Sequence, residues 1–509
     1  MLSAFVRIAK PAALLTFACT VHITNVQAAE SFDPATYPAD SPLPTREGLT
    51  GTLDNGVRYA IERNAAHENE NRAHVRVTID VGSFYEETGQ SGIAHLLEHV
   101  SFRGSERYST EQVRDFMQKM GGVGEFSHQN GATTTMSTTY LMNIPEEPAA
   151  NVPQAIDILA ARIASPRLEP ADVAAEIAIV LEEERSRRLS EAALEHHTLM
   201  YGTDHPWVTH MPIGERDQVS AMTSDVLRRF HLRWYRPERI QVVIVGDIEP
   251  EQVLDQIRDS FGEQAATQEA TAVKSVPLPE GYAAAIVEDK NLPFISVLVN
   301  VSGPSEPVMS IADMRKSMAR GFAASILSDR IRDYARNSLD VAGANYRARN
   351  DGYIRFDGFA VSAAKGSEIA AFEGVMRVVN KVLTEGFTAA EVDMAKAISA
   401  RRMIEALKGL DRIPSAALAS SWSGAGLRGL QPLDPTHRIA TRRYLMAGLS
   451  INDIEHALAM RLVGGRKVLV IRVQKSDRAG IELKPFESAF AKMLTNADQR
   501  SSTNEEDPP

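Results

Sequence analysis

The order of secondary-structure signals in this 509-residue chain recurs once, and that recurrence constrains the fold more than any single residue does. Strand-like runs at 56–61 and 74–81 open the first series, and 283–287 with 294–301 repeat that pair. A late strand at 241–245, closed by Gly246-Asp247, is echoed by 468–473, and helical stretches lie between. The two series are separated by 262–281, rich in Gln, Thr and Ala and ending Pro277-Leu278-Pro279, which has the composition of a linker. The chain is too long for one compact core. It reads as a mixed α/β (α+β) protein with two similar halves, each a mixed sheet packed with helices. The N-terminal domain covers 45–261 and the C-terminal domain 282–495, and the polar, acidic residues 496–509 read as a disordered tail.

Within the first half a proline-rich leader at 30–47 precedes the strands. One helix is expected over 91–102, and a second starts after Ser109-Thr110-Glu111. The Thr-rich run 133–143 reads as a strand, 149–199 as three helices and 223–234 as another helix. Hydrophobic residues make up 44% and charged residues 24%, enough apolar surface for cores without staples. The net charge of -11 argues against nucleic acid as a partner, because phosphate binding needs a basic surface.

The first 28 residues read as a secretory signal peptide. Arg7 and Lys10 precede an apolar stretch over 11–23, and Val26-Gln27-Ala28 supplies a cleavage site after Ala28. His22, Thr24 and Asn25 interrupt the stretch too early for a membrane span, which needs about 20 apolar residues. An exported, periplasmic protein is therefore expected. Cys19, the sole cysteine, lies in this segment after Thr16-Phe17-Ala18, a poor match to a lipoprotein signal. The mature chain would hold no disulfide.

The chemistry concentrates at His95-Leu96-Leu97-Glu98-His99. Histidines four apart share a helix face, so two imidazoles can bind one Zn²⁺ at about 2.0–2.1 Å. Glu98 lies within reach of a water held by that ion and is the candidate catalytic base. The motif sits among Ile93, Ala94, Leu96, Leu97, Val100 and Phe102. Burying two imidazoles and a carboxylate there is costly unless they are bonded or metallated.

The motif and its surroundings resemble the pitrilysin-like, or inverzincin, peptidases, which include the mitochondrial processing peptidase and bacterial relatives. The likeness runs through Gly82-Ser83 and Glu86, the segment Gly92 to His99, and Phe102-Arg103-Gly104-Ser105. Asn130, Thr133, Thr138 and Tyr140 are similar to the family's Asn-rich strand, and Tyr235-Arg236-Pro237 to the end of its first domain. It is strong over 45–260 and only topological beyond.

The resemblance implies a third zinc ligand, Glu183, with Glu176 seven residues earlier on the same helix face, orienting a ligand imidazole. Periodicity alone does not choose within Glu182-Glu183-Glu184: Ile177, Val180 and Leu181 put Glu184 on the apolar stripe and Glu183 at its edge. It further implies that Asn130 touches substrate or supports the metal site and, in the second half, that Arg332 and a tyrosine contact substrate. Leu339 occupies the tyrosine's expected place, which leaves Tyr346 as the substitute. His196, His197 and His205 read as surface positions, and Ser423-Gly424-Ala425-Gly426 as a loop.

No G-x-S-x-G elbow or P-loop is present. The expectation is a zinc endopeptidase with one Zn²⁺ per chain, acting on peptides or unfolded segments. The alternative is a non-catalytic partner subunit of such a complex. Because the family's chamber needs four domains and this chain supplies two, a homodimer or a heterodimer with a related subunit is implied.

Overall fold

A computed structural model describes residues 34–65, 71–122, 128–187, 189–265, 277–350 and 352–502. The signal peptide over 1–28, with Cys19, lies outside them, as do 266–276 of the expected linker. Among the described residues no helix is long and apolar enough to cross a membrane.

The first half opens with β1 (Leu49–Thr52), β2 (Arg58–Arg63) and β3 (Ala73–Ile79), followed by α1 (Ile93–Val100) and α2 (Thr110–Lys119). The hairpin β4 (Gln129–Thr133) and β5 (Thr138–Ile144) leads to α3 (Pro148–Ala164), α4 (Pro170–Arg187) and α5 (Glu191–Tyr201). Short helices α6 (Pro206–Thr209) and α7 (Arg216–Ser220) precede α8 (Ser224–Trp234), β6 (Ile240–Gly246) and α9 (Pro250–Phe261). The second half runs β7 (Gly281–Glu288), β8 (Ile295–Pro304), α10 (Ile311–Asn337), β9 (Val341–Asn350) and β10 (Ile354–Ala363). Helices α11 (Glu368–Glu385), α12 (Ala389–Lys408), α13 (Ser415–Gly426), α14 (Pro435–Gly448) and α15 (Ile451–Leu462) follow, then β11 (Arg466–Val473) and α16 (Lys484–Ser502).

The two sheets have one topology. Their orders are β1-β2-β6-β3-β5-β4 and β7-β11-β8-β10-β9, so the second repeats the first without β1. In each, the late strand enters parallel to the opening strand and antiparallel to the next. Each sheet buries one face against its own helices in a large apolar core. The opposite faces are covered reciprocally. From the second half, α13 lays Leu418, Ala419 and Trp422 on Ala60, Val243 and Val245. From the first, α5 brings Ala192 and Leu199 to Val287, Val468 and Val470. This exchange explains why β6 is buried at every position.

Three expectations are corrected. The run 133–143 is not one strand but the end of β4, a tight turn and most of β5. The turn needs no Gly or Pro, because the Thr134 hydroxyl accepts the N–H groups of Met136 (3.2 Å) and Ser137 (3.0 Å). Residues 423–426 are not a loop but the last turn of α13. Gly426 allows a close approach: a Cβ there would lie 1.8 Å from Gln241 Nε2 and displace that amide. The tail does not begin at 496. Helix α16 continues to Ser502, holding Ala497 in the second core and Asn496 against Asn380 at 2.8 Å. The leader is also structured: Leu43 enters the second core and donates its N–H to Met309 O at 2.9 Å.

Candidate metal centre

Helix α1 is buried along nearly its whole length, and its start is held by Glu86, which accepts the N–H groups of Gly92 (3.0 Å) and Ala94 (3.1 Å). Burial pushes that carboxyl up to about 8 despite the two bonds. One turn separates His95 from His99, and their rings stand edge to face with centroids 4.7 Å apart.

Across from them, α4 presents Glu183. Its Oε2 lies 3.4 Å from His95 Nε2 and 3.3 Å from His99 Nε2. Ligands about 2.0–2.1 Å from a tetrahedral ion are separated by about 3.3–3.4 Å, so these spacings match the edges of a zinc site. Glu183 Oε2 is also buried without a hydrogen-bond partner among the described residues. A buried carboxylate oxygen left so is costly, and a cation answers it. His95, His99 and Glu183 are the one cluster among the described residues with the geometry to hold a metal.

The surrounding groups orient these three. His99 Nδ1 lies 3.0 Å from Glu176 Oε2, and Arg103 Nε donates to the other Glu176 oxygen at 2.5 Å. Burial opposes charge on Glu176, but His99 and Arg103 outweigh it and hold its carboxyl below the usual range. Burial keeps the His95 imidazole neutral, pushed down to about 3, which suits a ligand. Burial also works against charge on His99, yet Glu176, Glu98 and Glu183 together raise its pKa. Arg187 binds the outer oxygen of Glu183 at 2.5 Å. Glu184 faces elsewhere and is paired with Arg216 at 2.8 Å. That separation distinguishes two neighbours that the sequence pattern left equivalent.

Glu98 sits between α1 and β4. Thr133 Oγ1 donates to it at 3.0 Å, and a Cβ on Gly131 would lie 2.3 Å from its Oε1, so a larger residue there would displace the carboxylate. Burial raises the Glu98 pKa against the pull of His99 and Thr133. Asn130 is exposed on β4 beside this point, with its Oδ1 accepting the Gly131 N–H at 2.9 Å.

The second-half candidates do not join this cluster. Arg332 pairs with Asp329 (3.0 Å) on its own helix. Tyr346 is buried, and its hydroxyl donates to Asp357 at 2.5 Å within a network that includes Arg355 and Arg461. A hydroxyl so engaged is a core group of the second half, not a free substrate contact. His196, His197 and His205 line the junction of the halves instead of the surface: His196 approaches Asn300 and His205 approaches Pro277 O. Arg187, which steadies Glu183, was not singled out from the sequence, where it reads as one more basic residue ending a helix.

A half with a cluster that could hold a metal, joined to a half of the same topology with no such cluster among the described residues, defines a class of duplicated α/β protein. Residues 63–204 match the family described as Insulinase (Peptidase family M16), and 221–399 match the Peptidase M16 inactive domain. The chain belongs to peptidase family M16, the pitrilysin-like zinc peptidases.

An uncharacterized zinc protease of Mycobacterium leprae is 30% identical over 357 residues, covering 68% of this chain and 76% of that one. The probable zinc protease PqqL of Haemophilus influenzae is 26% identical over 309 residues, 58% of this chain but only 32% of the relative. In fold, the first half of the periplasmic protease PqqL from Escherichia coli matches with a TM-score of 0.79 at 20% identity, over 92% of this chain and 100% of that one. Pitrilysin matches at 0.63 and 17% identity, over 91% of this chain and 50% of its own. The chain thus spans about a third of the PqqL relative and half of pitrilysin.

Proposed function

We propose that this protein is a zinc-dependent endopeptidase acting on peptides or unfolded segments. The observation that carries the reading is the convergence of His95, His99 and Glu183 beside Glu98 and an outer strand. Zinc held by those three residues would polarise a substrate carbonyl and acidify water. Glu98 accepts the proton of the attacking water and delivers it to the leaving amine, with Thr133 fixing its carboxylate. Strand β4 has no neighbour on its outer side among the described residues. An extended peptide can add there as a further strand, its carbonyl brought to Glu98 and its backbone bonded to β4, with Asn130 alongside. The purified chain should cleave an unstructured peptide, lose that activity in chelator and regain it with zinc. Equal cleavage in chelator would refute the reading.

Two further parts concern assembly and location. Two domains leave the site open, and positioning a peptide while excluding water favours a closed chamber. Helix α12 is 20 residues long yet buries only Val392 and Met403, leaving Met394 64% and Ile404 55% exposed. A second two-domain unit, from another copy or a related subunit, would cover that face. Light scattering and specific activity followed through dilution test this, and a fully active monomer would count against it. The signal-like segment 1–28 supports export to the periplasm, tested by whether the mature N-terminus begins at Ala29.

A further inference from the structure

We propose that the cleft between the two halves takes a large apolar, above all aromatic, side chain of the peptide and so sets specificity; this rests on the peptidase reading. The cleft encloses about 770 Å³, room for more than one side chain. Both halves build it. The first contributes the turn after β4, α5 and the segment around Trp207, and the second contributes Tyr353, Gly424 and Leu427. Its aromatic wall is preformed: Tyr201 meets Trp207 edge to face at 5.0 Å, and Trp207 meets Tyr353 likewise at 6.4 Å. Such a wall offers both ring faces and ring edges to an incoming aromatic group.

The cleft meets the metal centre at two points. Arg187 lines it and also binds Glu183, and Thr134 lines it one residue after Thr133, the partner of Glu98. A peptide extended along β4 advances about 3.3 Å per residue, so it enters the cleft within a few residues of Glu98. The wall is fixed in register with α1: Glu215 N–H donates to Ser91 Oγ at 3.1 Å, and Ser91 N–H to Gln218 Oε1 at 2.8 Å. Charge favours neutral side chains over basic ones. Arg187, Arg349 and Arg428 line the cleft against Glu184 and Glu215, and Glu184 is already paired with Arg216.

The chain holds three tryptophans, and Trp234 and Trp422 are core residues, so Trp207 reports on the cleft. The test titrates full-length Glu98→Gln protein with two peptides differing only in Phe or Ala at one scanned position. At one position, the Phe peptide should shift tryptophan emission and bind at least about tenfold more tightly. Trp207→Phe should abolish the shift. A Cβ on Gly424 meets open space, so Gly424→Leu fills the cleft without disturbing the fold. It should weaken the Phe peptide about tenfold and leave the Ala peptide and zinc content unchanged. Equal affinity for both peptides at every position, or a Gly424→Leu protein that still prefers Phe, would overturn the proposal. Loss of the peptidase reading would show separately, as wild-type protein without zinc-dependent cleavage.

Discussion

The two halves of this chain solve one structural problem with different chemistry. Each must clamp a helix that packs on its sheet to a later helix: α1 to α4 in the first half, α10 to α12 in the second. In the second, Arg330 of α10 forms two bonds to Glu391, at 2.5 and 2.6 Å, and Thr388 adds two more to the same carboxylate. In the first, Arg103 binds Glu176, but Glu176 also holds His99, and about two turns further along Glu183 turns an unbonded oxygen toward both imidazoles. At this one contact the carboxylate oxygens are all bonded in the second half, whereas Glu183 keeps one unbonded in the first. A buried carboxylate oxygen left unbonded is costly, and here it faces the two imidazoles of the cluster that could hold a metal.

That contrast breaks most sharply at Glu98. Glu98→Gln should lower peptide turnover by about 10²–10⁴-fold while zinc content stays at the wild-type level, because only the proton acceptor is lost. Parallel loss of zinc would mean that Glu98 belongs to the metal site. A smaller effect is expected at Glu176. Glu176→Gln should weaken zinc binding by about 10–100-fold, measured by competition with a chelator, since it leaves the three ligands and loosens His99. Unchanged affinity would reduce Glu176 to a partner of Arg103.

The second half should respond in stability alone. Arg330→Met is expected to cost about 1–2 kcal/mol in denaturant unfolding, the scale of a partly buried, two-bond ion pair, with no change in zinc. Arg330 first, with Thr388 assisting, holds the Glu391 carboxyl down to about 2 in the folded chain, against an ordinary 4.5. The wild type therefore keeps this contribution above pH 4.5 and loses it as pH falls toward 2. The variant should show a flatter acid limb over that window. An identical pH profile would show that the pair contributes nothing.

Much of this was legible in the sequence, for physical reasons that differ by element. The duplicated strand order and the His95–His99 spacing follow from local periodicity, which survives without tertiary context. The β4–β5 turn is hidden because its signal is the Thr134 hydroxyl accepting the Ser137 N–H, in a run whose β-branched residues all favour strand. Residues 423–426 looked like a loop because glycine is a poor helix former, and only contact with Gln241 explains its use. Glu183 and Glu184 could not be separated by pattern, since both lie near one helix face. In the fold Glu184 pairs with Arg216, which is distant in sequence, while Glu183 faces the imidazoles. Tyr346 failed as a substrate contact because its partners Asp357 and Arg461 are likewise distant or on another strand.

The most direct test is therefore elemental analysis of the purified full chain beside its Glu183→Gln and Glu184→Gln variants. About one zinc per chain is expected in the wild type and in Glu184→Gln, with Glu183→Gln depleted after dialysis against a weak chelator. A folded wild-type chain that holds no zinc, or zinc lost from Glu184→Gln and retained by Glu183→Gln, would contradict a site built from His95, His99 and Glu183.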